Sequence, residues 1–245
     1  MTTVPTEAAA AAGRTTLREV LPVFPSGRAL PARGLLRLPG VYRPQADTCL
    51  LASAVRRSGV PAGARALDLC AGTGALALTL ARAGAASVLA VDRSRRALLS
   101  AGLNAGLRGL PVRVRRGDLL AAAAGGPYDV VVANPPYVPC PPSAGPADRR
   151  VDAGPDGRSV LDPLCEGAGA LVAPGGFLLL VQSTMADVDR SAALLAAGGL
   201  RPRVVARAAV PFGPVLSGRT DFLEQRGFVA PQQREEELVV LRADR

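Results

Sequence analysis

The residues Asp68-Leu69-Cys70-Ala71-Gly72-Thr73-Gly74 end a short apolar run and open an alanine- and leucine-rich segment that reaches about residue 83. The apolar run, residues 66–69, has the composition of a buried strand, and the segment after Gly74 has that of a helix. Glycines between the two let the backbone approach a ligand closely, and the helix N-terminus that follows offers free N–H groups. The stretch therefore predicts a strand–loop–helix corner with a ligand on its loop.

Strand-like and helix-like segments alternate outward from this corner. The predicted strands are residues 66–69, 87–92, 112–115, 128–133, 176–181, 203–209 and 238–241. The predicted helices are residues 75–83, 94–106, 158–172 and 186–197. This alternation indicates βαβ units, so we expect an α/β fold with a doubly wound, mostly parallel, seven-stranded sheet of the Rossmann-like kind. Such sheets bind their ligands at the carboxyl ends of the strands.

The length of 245 residues suits one large domain or two small ones. We divide the chain into residues 1–40, a partly disordered leader with the segment that enters the domain, and residues 41–245, the domain itself. Residues 138–157 are rich in Pro and predict a long loop, whereas residues 211–234 have no interpretable pattern. No apolar stretch of about 18 residues occurs, so we expect no membrane span and a cytoplasmic protein.

The positive charge of the chain is carried by Arg alone, because the 29 basic residues include no Lys. Against 20 acidic residues they give a formal net charge of +9. Ile, His and Trp are also absent, a bias that GC-rich coding sequence produces. The Arg groups that could contact phosphates are Arg93, Arg95, Arg96, Arg113, Arg115 and Arg116. We interpret them first as solvated faces, with nucleic-acid binding as the alternative.

The absence of His excludes whole classes of active site. A Ser-His-Asp triad, a Cys-His pair and an imidazole acid or base all require a residue that this chain lacks. The four cysteines, Cys49, Cys70, Cys140 and Cys165, form no C-x-x-C pair. We therefore expect no metal site, no disulfide framework and a reduced compartment.

Acidic residues stand at the ends of the first three predicted strands, at Asp68, Asp92 and Asp118. Asp92 is placed to accept hydrogen bonds from ribose hydroxyls. Asp118 is placed to accept from an adenine amino group, with Leu119 packed on the ring. Together with the glycine loop, these residues predict a bound nucleoside.

Two nucleoside cofactors compete for this loop. Gly72, Gly74 and Ala77 satisfy the G-x-G-x-x-A pattern of dinucleotide binding, which would make the ligand NAD. A carboxylate at Asp68 favours S-adenosylmethionine (SAM), because it attracts an ammonium group and repels a pyrophosphate. Cys70 also occupies a position where a loop that wraps pyrophosphate needs free backbone approach. We favour SAM, with an NAD dehydrogenase as the alternative.

Asn134-Pro135-Pro136-Tyr137 directly follows the predicted strand 128–133 and is the sharpest chemical signal. Two prolines donate no hydrogen bond, so the carbonyls of this tetrapeptide are free to accept. The Asn134 side chain adds one more carbonyl oxygen, and Tyr137 offers a flat ring for stacking. This set suits a planar –NH2 group, whose nitrogen would be oriented toward a methyl donor without a catalytic base.

Together, these motifs resemble the class I SAM-dependent methyltransferases, and more narrowly the HemK/PrmC family. That family methylates the glutamine amide of class I peptide-chain release factors. Residues 41–48, Val-Tyr-Arg-Pro-Gln-Ala-Asp-Thr, are similar to its Y-x-P-x-x-D-[ST] element. Residues 157–162 and 237–241 look like its short branch, which lacks the N-terminal helical domain. Two departures are Cys70 for the usual first Gly and Ala46 for a frequently acidic residue.

The resemblance implies roles for the matching positions. Residues 70–74 would cradle the methionine part of SAM, and Asp47 and Thr48 would lie over the cofactor. The expected catalytic residues are Asn134, Pro135, Pro136 and Tyr137, with no metal. The expected cofactor-binding residues are Asp47, Thr48, Asp68, Cys70, Ala71, Gly72, Thr73, Gly74, Asp92, Asp118, Leu119 and Asn134.

The resemblance implies SAM-dependent N-methylation of a glutamine side chain in a protein such as a release factor. Exocyclic amino groups of nucleic-acid bases are an alternative acceptor, because the same tetrapeptide serves them, and a small molecule is another. A SAM-binding module without activity is a further alternative, which the intact Asn134 argues against. The short branch also works with a small zinc-binding partner protein, so such an activator is a candidate partner here.

Overall fold

The computed structural model describes residues 34–118, 122, 124–142 and 148–245. Most of the predicted leader and Leu119 lie outside the described residues. Residues 34–40 are described and contain no helix or strand. They lie along the third helix of the fold, where the Leu36 amide N–H donates to Asn104 Oδ1 at 2.8 Å and the Leu38 amide N–H to Ser100 Oγ at 3.2 Å.

Seven strands form one sheet in the order β3-β2-β1-β4-β5-β7-β6. The strands are β1 Arg65–Leu69, β2 Ser87–Asp92, β3 Val112–Arg116, β4 Tyr128–Ala133, β5 Val172–Ser183, β6 Arg201–Pro211 and β7 Glu235–Asp244. The first five pair in parallel, and β7 runs antiparallel between β5 and β6. The predicted doubly wound, mostly parallel, seven-stranded sheet is therefore confirmed.

Helices cover the sheet between its strands. They are α1 Ala46–Arg57, α2 Ala75–Arg82, α3 Arg95–Gly106, α4 Leu161–Leu171, α5 Val188–Ala197, α6 Pro214–Ser217 and α7 Thr220–Gln225, with a short 3₁₀ turn at Thr184–Ala186. The sequence prediction missed α1, and it left residues 211–234, which contain α6 and α7, unassigned. Within the described part of the chain, no helix is long and apolar enough to cross a membrane.

The burial of each strand follows its place in the sheet. In the central strand β4, Val130, Val131 and Val132 are fully buried, as expected for a parallel strand covered on both faces. In the edge strand β3 only Val112 is half-buried and the four residues after it are exposed. The alternation of apolar and charged residues at 112–115, which is typical of a half-buried strand, therefore does not mark a buried face here.

Arg158 fastens α4 to α5 from inside the protein. Its side chain is 3% exposed and its Nη2 lies 2.7 Å from Asp162 Oδ1. Its Nη1 donates to Ser191 Oγ at 2.8 Å and also to the Ala186 carbonyl. A buried guanidinium with this many hydrogen-bond partners is satisfied. This gives a structural reason for Arg158 and Asp162 in residues 157–162, which the sequence analysis found similar to the short branch of the family.

The chain changes direction across the sheet after β3. Strands β1, β2 and β3 extend toward one edge, and β4 then returns to the other side of β1. The carboxyl ends of β1 and β4 therefore border the crevice in which doubly wound sheets bind ligands. The loop after β1 and the tetrapeptide after β4 both open into it.

Candidate active site

A cleft of about 1410 Å³ lies at the carboxyl ends of β1, β2 and β4. Most of the predicted site residues line it: Asp47, Thr48, Cys70, Ala71, Gly72, Thr73, Asp92, Asp118, Asn134, Pro135, Pro136 and Tyr137. Two predicted residues, Asp68 and Gly74, lie behind this wall, and Leu119 is not among the described residues. The fold thus brings residues from five separate parts of the sequence to one place.

The loop after β1 takes its shape from residues with positive φ. Cys70 has a φ of 59° and Gly72 a φ of 54°, in the left-handed region that favours glycine. Cys70 thus adopts a conformation that glycine reaches at lower cost, at the position where the resemblance implied a Gly. The Gly72 amide N–H donates to Asp92 Oδ2 at 2.9 Å, which ties the loop to the end of β2.

Cys70 is not a nucleophile in this environment. Burial, together with the nearby Asp92 and Asp68 carboxylates, raises the pKa of its thiol to about 12. A thiol with so high a pKa stays protonated at neutral pH, whereas nucleophilic and metal-ligating cysteines need the thiolate. Cys70 therefore contributes the conformation of the loop and part of the cleft wall.

Gly74 and Asp68 support the start of α2. The N-cap residue Gly74 has no side chain to cap the helix, and Asp68 Oδ2 replaces it by accepting from the Ala77 amide N–H at 2.8 Å. A Cβ on Gly74 would lie 2.9 Å from the Cβ of Ala101, so only glycine lets α3 pack this closely.

Asp68 differs from the sequence expectation in its position. The sequence placed its carboxylate beside a ligand, but the side chain is 0% exposed and sits beneath the loop. Burial raises the pKa of Asp68 to about 8, against the opposing effect of the Ala77 hydrogen bond. Its second oxygen, Oδ1, is buried without a hydrogen-bond partner among the described residues.

One half of the cleft, the cofactor half, is lined mostly by residues 69–94. This half fits SAM. Asp92 is held by the Gly72 and Ser94 amide N–H groups, and its carboxylate keeps lone pairs for ribose hydroxyls. A Cβ on Gly72 would meet no atom within 4 Å, so the loop is open on that side. The buried Asp68 carboxyl stands directly behind the loop, where a cationic ligand favours its ionised form and a pyrophosphate opposes it.

Asn134 is oriented by a residue of α1. Its Nδ2 donates to Thr48 Oγ1 at 3.2 Å. This bond occupies the nitrogen of the amide and leaves the Oδ1 carbonyl as the acceptor of the side chain. The loop after β4 therefore presents carbonyl oxygens beside the cofactor half, as the sequence analysis expected of a site for a planar –NH2 group.

Asp47 joins the 41–48 element to the tetrapeptide. It is 4% exposed, and its Oδ2 accepts from the Tyr42 hydroxyl at 2.8 Å and from the Tyr137 hydroxyl at 3.3 Å. Its Oδ1 accepts from Thr48 Oγ1 at 3.1 Å. Burial raises the pKa of Tyr137 well above its usual value, and Asp47 raises it further, so the hydroxyl stays a donor. The sequence named Tyr42 only as part of a motif and missed this role.

The acceptor half of the cleft is built by the two segments that the sequence left without regular structure. Val138 and residues 148–152 line one side, and residues 210–216 line the other. Arg219 Nη2 lies 2.6 Å from Asp152 Oδ1, and its Nη1 donates to the Pro139 carbonyl at 3.1 Å. One buried ion pair therefore connects these two walls.

The six arginines that the sequence offered for phosphate contact contribute little to the cleft. Arg93, Arg95, Arg96, Arg113, Arg115 and Arg116 are all exposed, and of these six only Arg93 lines it. This distribution is the one expected of solvated faces.

The sequence was compared with protein families and with curated proteins. The family model for the methyltransferase small domain matches residues 34–147. A release factor glutamine methyltransferase of Mycobacterium tuberculosis is 32% identical over 224 residues, which cover 80% of this chain and 70% of that protein. One from Deinococcus radiodurans is 39% identical over 170 residues, which cover 66% of this chain and 58% of the relative. The chain thus spans little more than half the length of some curated relatives.

Another curated relative is named for small aromatic amines. The 4-amino-L-phenylalanine/4-methylamino-L-phenylalanine methyltransferase of Streptomyces pristinaespiralis is 36% identical over 160 residues, which cover 58% of this chain and 53% of that protein.

Solved structures share the fold. The E. cuniculi Mtq2–Trm112 complex, described as responsible for methylation of the termination factor eRF1, gives a TM-score of 0.58 at 24% identity and covers 84% of this chain and 99% of that one. The T. thermophilus 16S rRNA methyltransferase RsmC, in complex with AdoMet and guanosine, gives 0.53 at 23% identity and covers 85% of this chain and 46% of that one.

Proposed function

We propose a function from the premise that this chain belongs to the release factor glutamine methyltransferase family. The chain methylates the side-chain amide nitrogen of a glutamine in a peptide-chain release factor, with SAM as the methyl donor. Membership rests on the Mycobacterium tuberculosis relative, of which the alignment covers 70%. The predicted HemK/PrmC family is thereby confirmed, and its short branch stays a prediction. Under this proposal residues 41–245 form the catalytic domain.

The observation that carries the proposal is the Thr48–Asn134 hydrogen bond beside the glycine loop. It leaves Asn134 Oδ1, together with the carbonyls of the following prolines, to accept the two N–H groups of a primary amide. SAM supplies an activated methyl group when bound. The acceptor nitrogen would form a bond to that methyl carbon as the bond between the methyl carbon and sulfur breaks. S-adenosylhomocysteine would leave, and the nitrogen would pass one of its protons to solvent. The chain contributes orientation, which accelerates such reactions without a catalytic base.

On the cofactor side we propose that Asp92 binds the ribose hydroxyls and Asp118 the adenine amino group. Cys70, Ala71, Gly72 and Thr73 form the wall against the methionine part. Asp68 contributes from behind the loop, through the negative charge that it gains near pH 8 and through the α2 N-terminus that it caps.

A methyl-transfer assay tests this function. The purified protein is incubated with SAM and a release factor that carries the Gly-Gly-Gln sequence, and the digest is analysed by mass spectrometry. We expect one methyl group on the glutamine amide. Transfer to tRNA, rRNA or DNA in parallel reactions, and none to any cognate release factor, would overturn the substrate assignment in favour of base methylation.

A small aromatic amine is the second candidate acceptor. The Streptomyces pristinaespiralis relative is named for such a substrate, and Pro211, Pro214, Val215 and Leu216 give the acceptor half of the cleft an apolar wall. Adding 4-amino-L-phenylalanine to the same assay decides between the two. Turnover of the amine that exceeds turnover of the release factor would favour this candidate.

The proposal also includes a cytoplasmic location, where release factors act, and a small activator protein. What supports an activator is an exposed apolar face on α3 and β3. Leu99, Leu103 and Val114 are each more than 40% exposed, and Leu107 is 71% exposed. Faces of this kind mark protein interaction sites. Co-purification of a small partner from the native host, lost on a Leu107→Glu change, would support it.

A further inference from the structure

Glu236 is a carboxylate of the cleft that the proposed chemistry leaves without a task. It is the second residue of β7 and lines the acceptor half of the cleft, as Leu238 does. Side chains alternate along a strand, so its neighbours Glu235 and Glu237 point to the other face. There Glu235 is exposed and Glu237 Oε2 lies 2.7 Å from Arg207 Nη1. Of three consecutive glutamates, one therefore belongs to the cleft.

One oxygen of the Glu236 carboxylate lacks a hydrogen-bond partner, although the Ser183 hydroxyl interacts with the group. Its Oε2 is enclosed and makes no hydrogen bond to any described residue. Buried polar atoms are nearly always paired, and an orphaned one that lines a cleft points to a functional partner. Burial raises the pKa of Glu236 to about 7, with a smaller raising effect of Asp47 and an opposing effect of the Ser183 hydroxyl.

The groups that face Glu236 are acidic or phenolic. Asp47 faces it from α1, Tyr42 from the segment before α1 and Tyr137 from the loop after β4, and all three interact with it electrostatically. Asp47 already accepts from both tyrosines and from Thr48. No cation is among the described groups that shift the pKa of Glu236. Glu236 is therefore the carboxylate that is available to an incoming donor.

We propose that Glu236 determines acceptor specificity by receiving an N–H group of the acceptor molecule and so holding the reactive amide against Asn134. The inference rests on the proposed function and adds a second point of attachment to it. In a protein acceptor the donor is a backbone N–H beside the methylated glutamine. In an amino-acid acceptor it would be the α-ammonium group.

The substitution Glu236→Gln tests the proposal, because it keeps the shape and removes the charge. We expect unchanged SAM affinity, a KM for the release factor raised about tenfold, and a kcat within about threefold, since hydrogen bonds to charged groups account for changes of this size. Glu235→Gln, on the exposed face of the same strand, is the matched control. Glu236→Asp should recover part of the affinity.

The pH profile separates recognition from a structural role. In the wild type the KM for the acceptor should fall as pH rises through about 7, because the ionised carboxylate accepts a hydrogen bond and the protonated one does so poorly. In Glu236→Gln this step should be absent. Equal KM values and equal pH profiles in the two proteins would overturn the proposal.

A binding measurement keeps the inference distinct from the function on which it rests. Release factor and 4-amino-L-phenylalanine are each titrated calorimetrically into the protein with S-adenosylhomocysteine. About tenfold weaker binding of either one to Glu236→Gln supports the role of Glu236, even if methyl transfer to the release factor fails. Equal affinities of the wild type and Glu236→Gln for these ligands would refute it. A thermal melt in which Glu236→Gln is unfolded, together with an unchanged KM in Glu236→Asp, would also refute it.

Discussion

Asn104 and Asn134 are the only two asparagines of the chain, and both act on the cleft. Asn104 is fully buried, and its Nδ2 donates to the Thr73 carbonyl at 3.0 Å and to the Leu36 carbonyl at 2.9 Å. It thereby holds the glycine loop against α3. Asn134 instead presents its side chain to the cleft. One asparagine thus shapes the cofactor half, and the other is the residue on which acceptor chemistry depends.

Asn134→Ala should separate binding from turnover. We expect the Kd for SAM to stay within about threefold of the wild-type value and kcat to fall by about 100-fold or more, because a misplaced acceptor loses near-attack geometry. Isothermal titration gives the Kd and the methyl-transfer assay gives kcat. Full turnover in a variant that binds SAM normally would show that Asn134 does not orient the acceptor.

Asp68→Asn should change how stability depends on pH. The pKa of Asp68 is about 8 in the folded protein against a usual value of 3.8, so between these values the folded state binds more protons than the unfolded state. The stability contributed by the neutral carboxyl is present below pH 3.8 and is lost as pH rises toward 8. The variant has no such loss, so we expect it to gain up to a few kcal/mol relative to wild type from pH 4 to pH 8.

Urea unfolding of both proteins at several pH values measures this difference. A stability difference that stays constant between pH 4 and pH 8 would show that Asp68 is ionised in the folded protein. SAM affinity of the same variant reports separately on the charge behind the loop, and we expect it to be about tenfold weaker at pH 8.

Two glycines within helices differ in the space that surrounds them. Gly169 in α4 lies against the end of α5, where an added Cβ would come within 2.1 Å of the Gly198 carbonyl oxygen. Gly102 in α3 has only the Val114 methyl groups nearby, at 3.9 Å. The first glycine permits two helices to approach, whereas the second lowers helix propensity without a packing reason.

Alanine at these two positions should therefore have opposite effects on stability. Gly169→Ala should destabilise the protein by about 2–3 kcal/mol, because overpacked contacts must move apart. Gly102→Ala should stabilise it by about 0.5–1 kcal/mol, because alanine forms helix more readily. Urea midpoints measured side by side provide the comparison. Destabilisation by both variants would mean that α3 also lacks room for a methyl group.

The elements that sequence predicted best are those whose signal is local. Strands β1, β2 and β4 are short apolar runs between turns, and each was found within a residue or two. Helix α1 was missed although Leu51, Ala54 and Val55 have the i, i+3, i+4 spacing of an amphipathic helix and are buried. That segment was interpreted as a binding motif, and its helical period was overlooked.

At the scale of the whole molecule the cleft has two halves of different origin. The cofactor half comes mostly from residues 69–94, which are contiguous in sequence, and this is why its motifs were recognisable. The acceptor half combines β7 with the loop after β4 and residues 210–216, which are distant in sequence. Glu236 could not be chosen from the run Glu235, Glu236 and Glu237, because the register of β7 decides which glutamate faces inward.

Breaking the ion pair between the two acceptor walls should destabilise that half of the molecule. The side chains of Arg219 and Asp152 are 15% and 3% exposed, so Arg219→Met leaves a buried carboxylate without its cation. We expect a loss of about 3–5 kcal/mol. Chemical denaturation measures the loss, and the KM for the release factor should rise more than the Kd for SAM.

The double variant Arg219→Met/Asp152→Asn is the control. It removes the stranded charge and keeps a side-chain carbonyl for the Asp148 amide N–H, which donates to Asp152 Oδ2 in the wild type. We expect it to recover part of the lost stability. Equal stability of the single and double variants would show that the charge of Asp152 is not what destabilises the single variant.

The position of β7 between β5 and β6 has a consequence for how the protein is made on the ribosome. Strands β4 and β5 pair with neighbours that have already been synthesised, whereas β6 has no neighbour in the sheet until β7 emerges. Non-local pairing of this kind forms late, so the nascent chain can shape its cofactor half while β6 still exposes an unpaired edge. The acceptor half, with Glu236, is completed only afterward, and this interval is when a nascent chain most needs protection from aggregation.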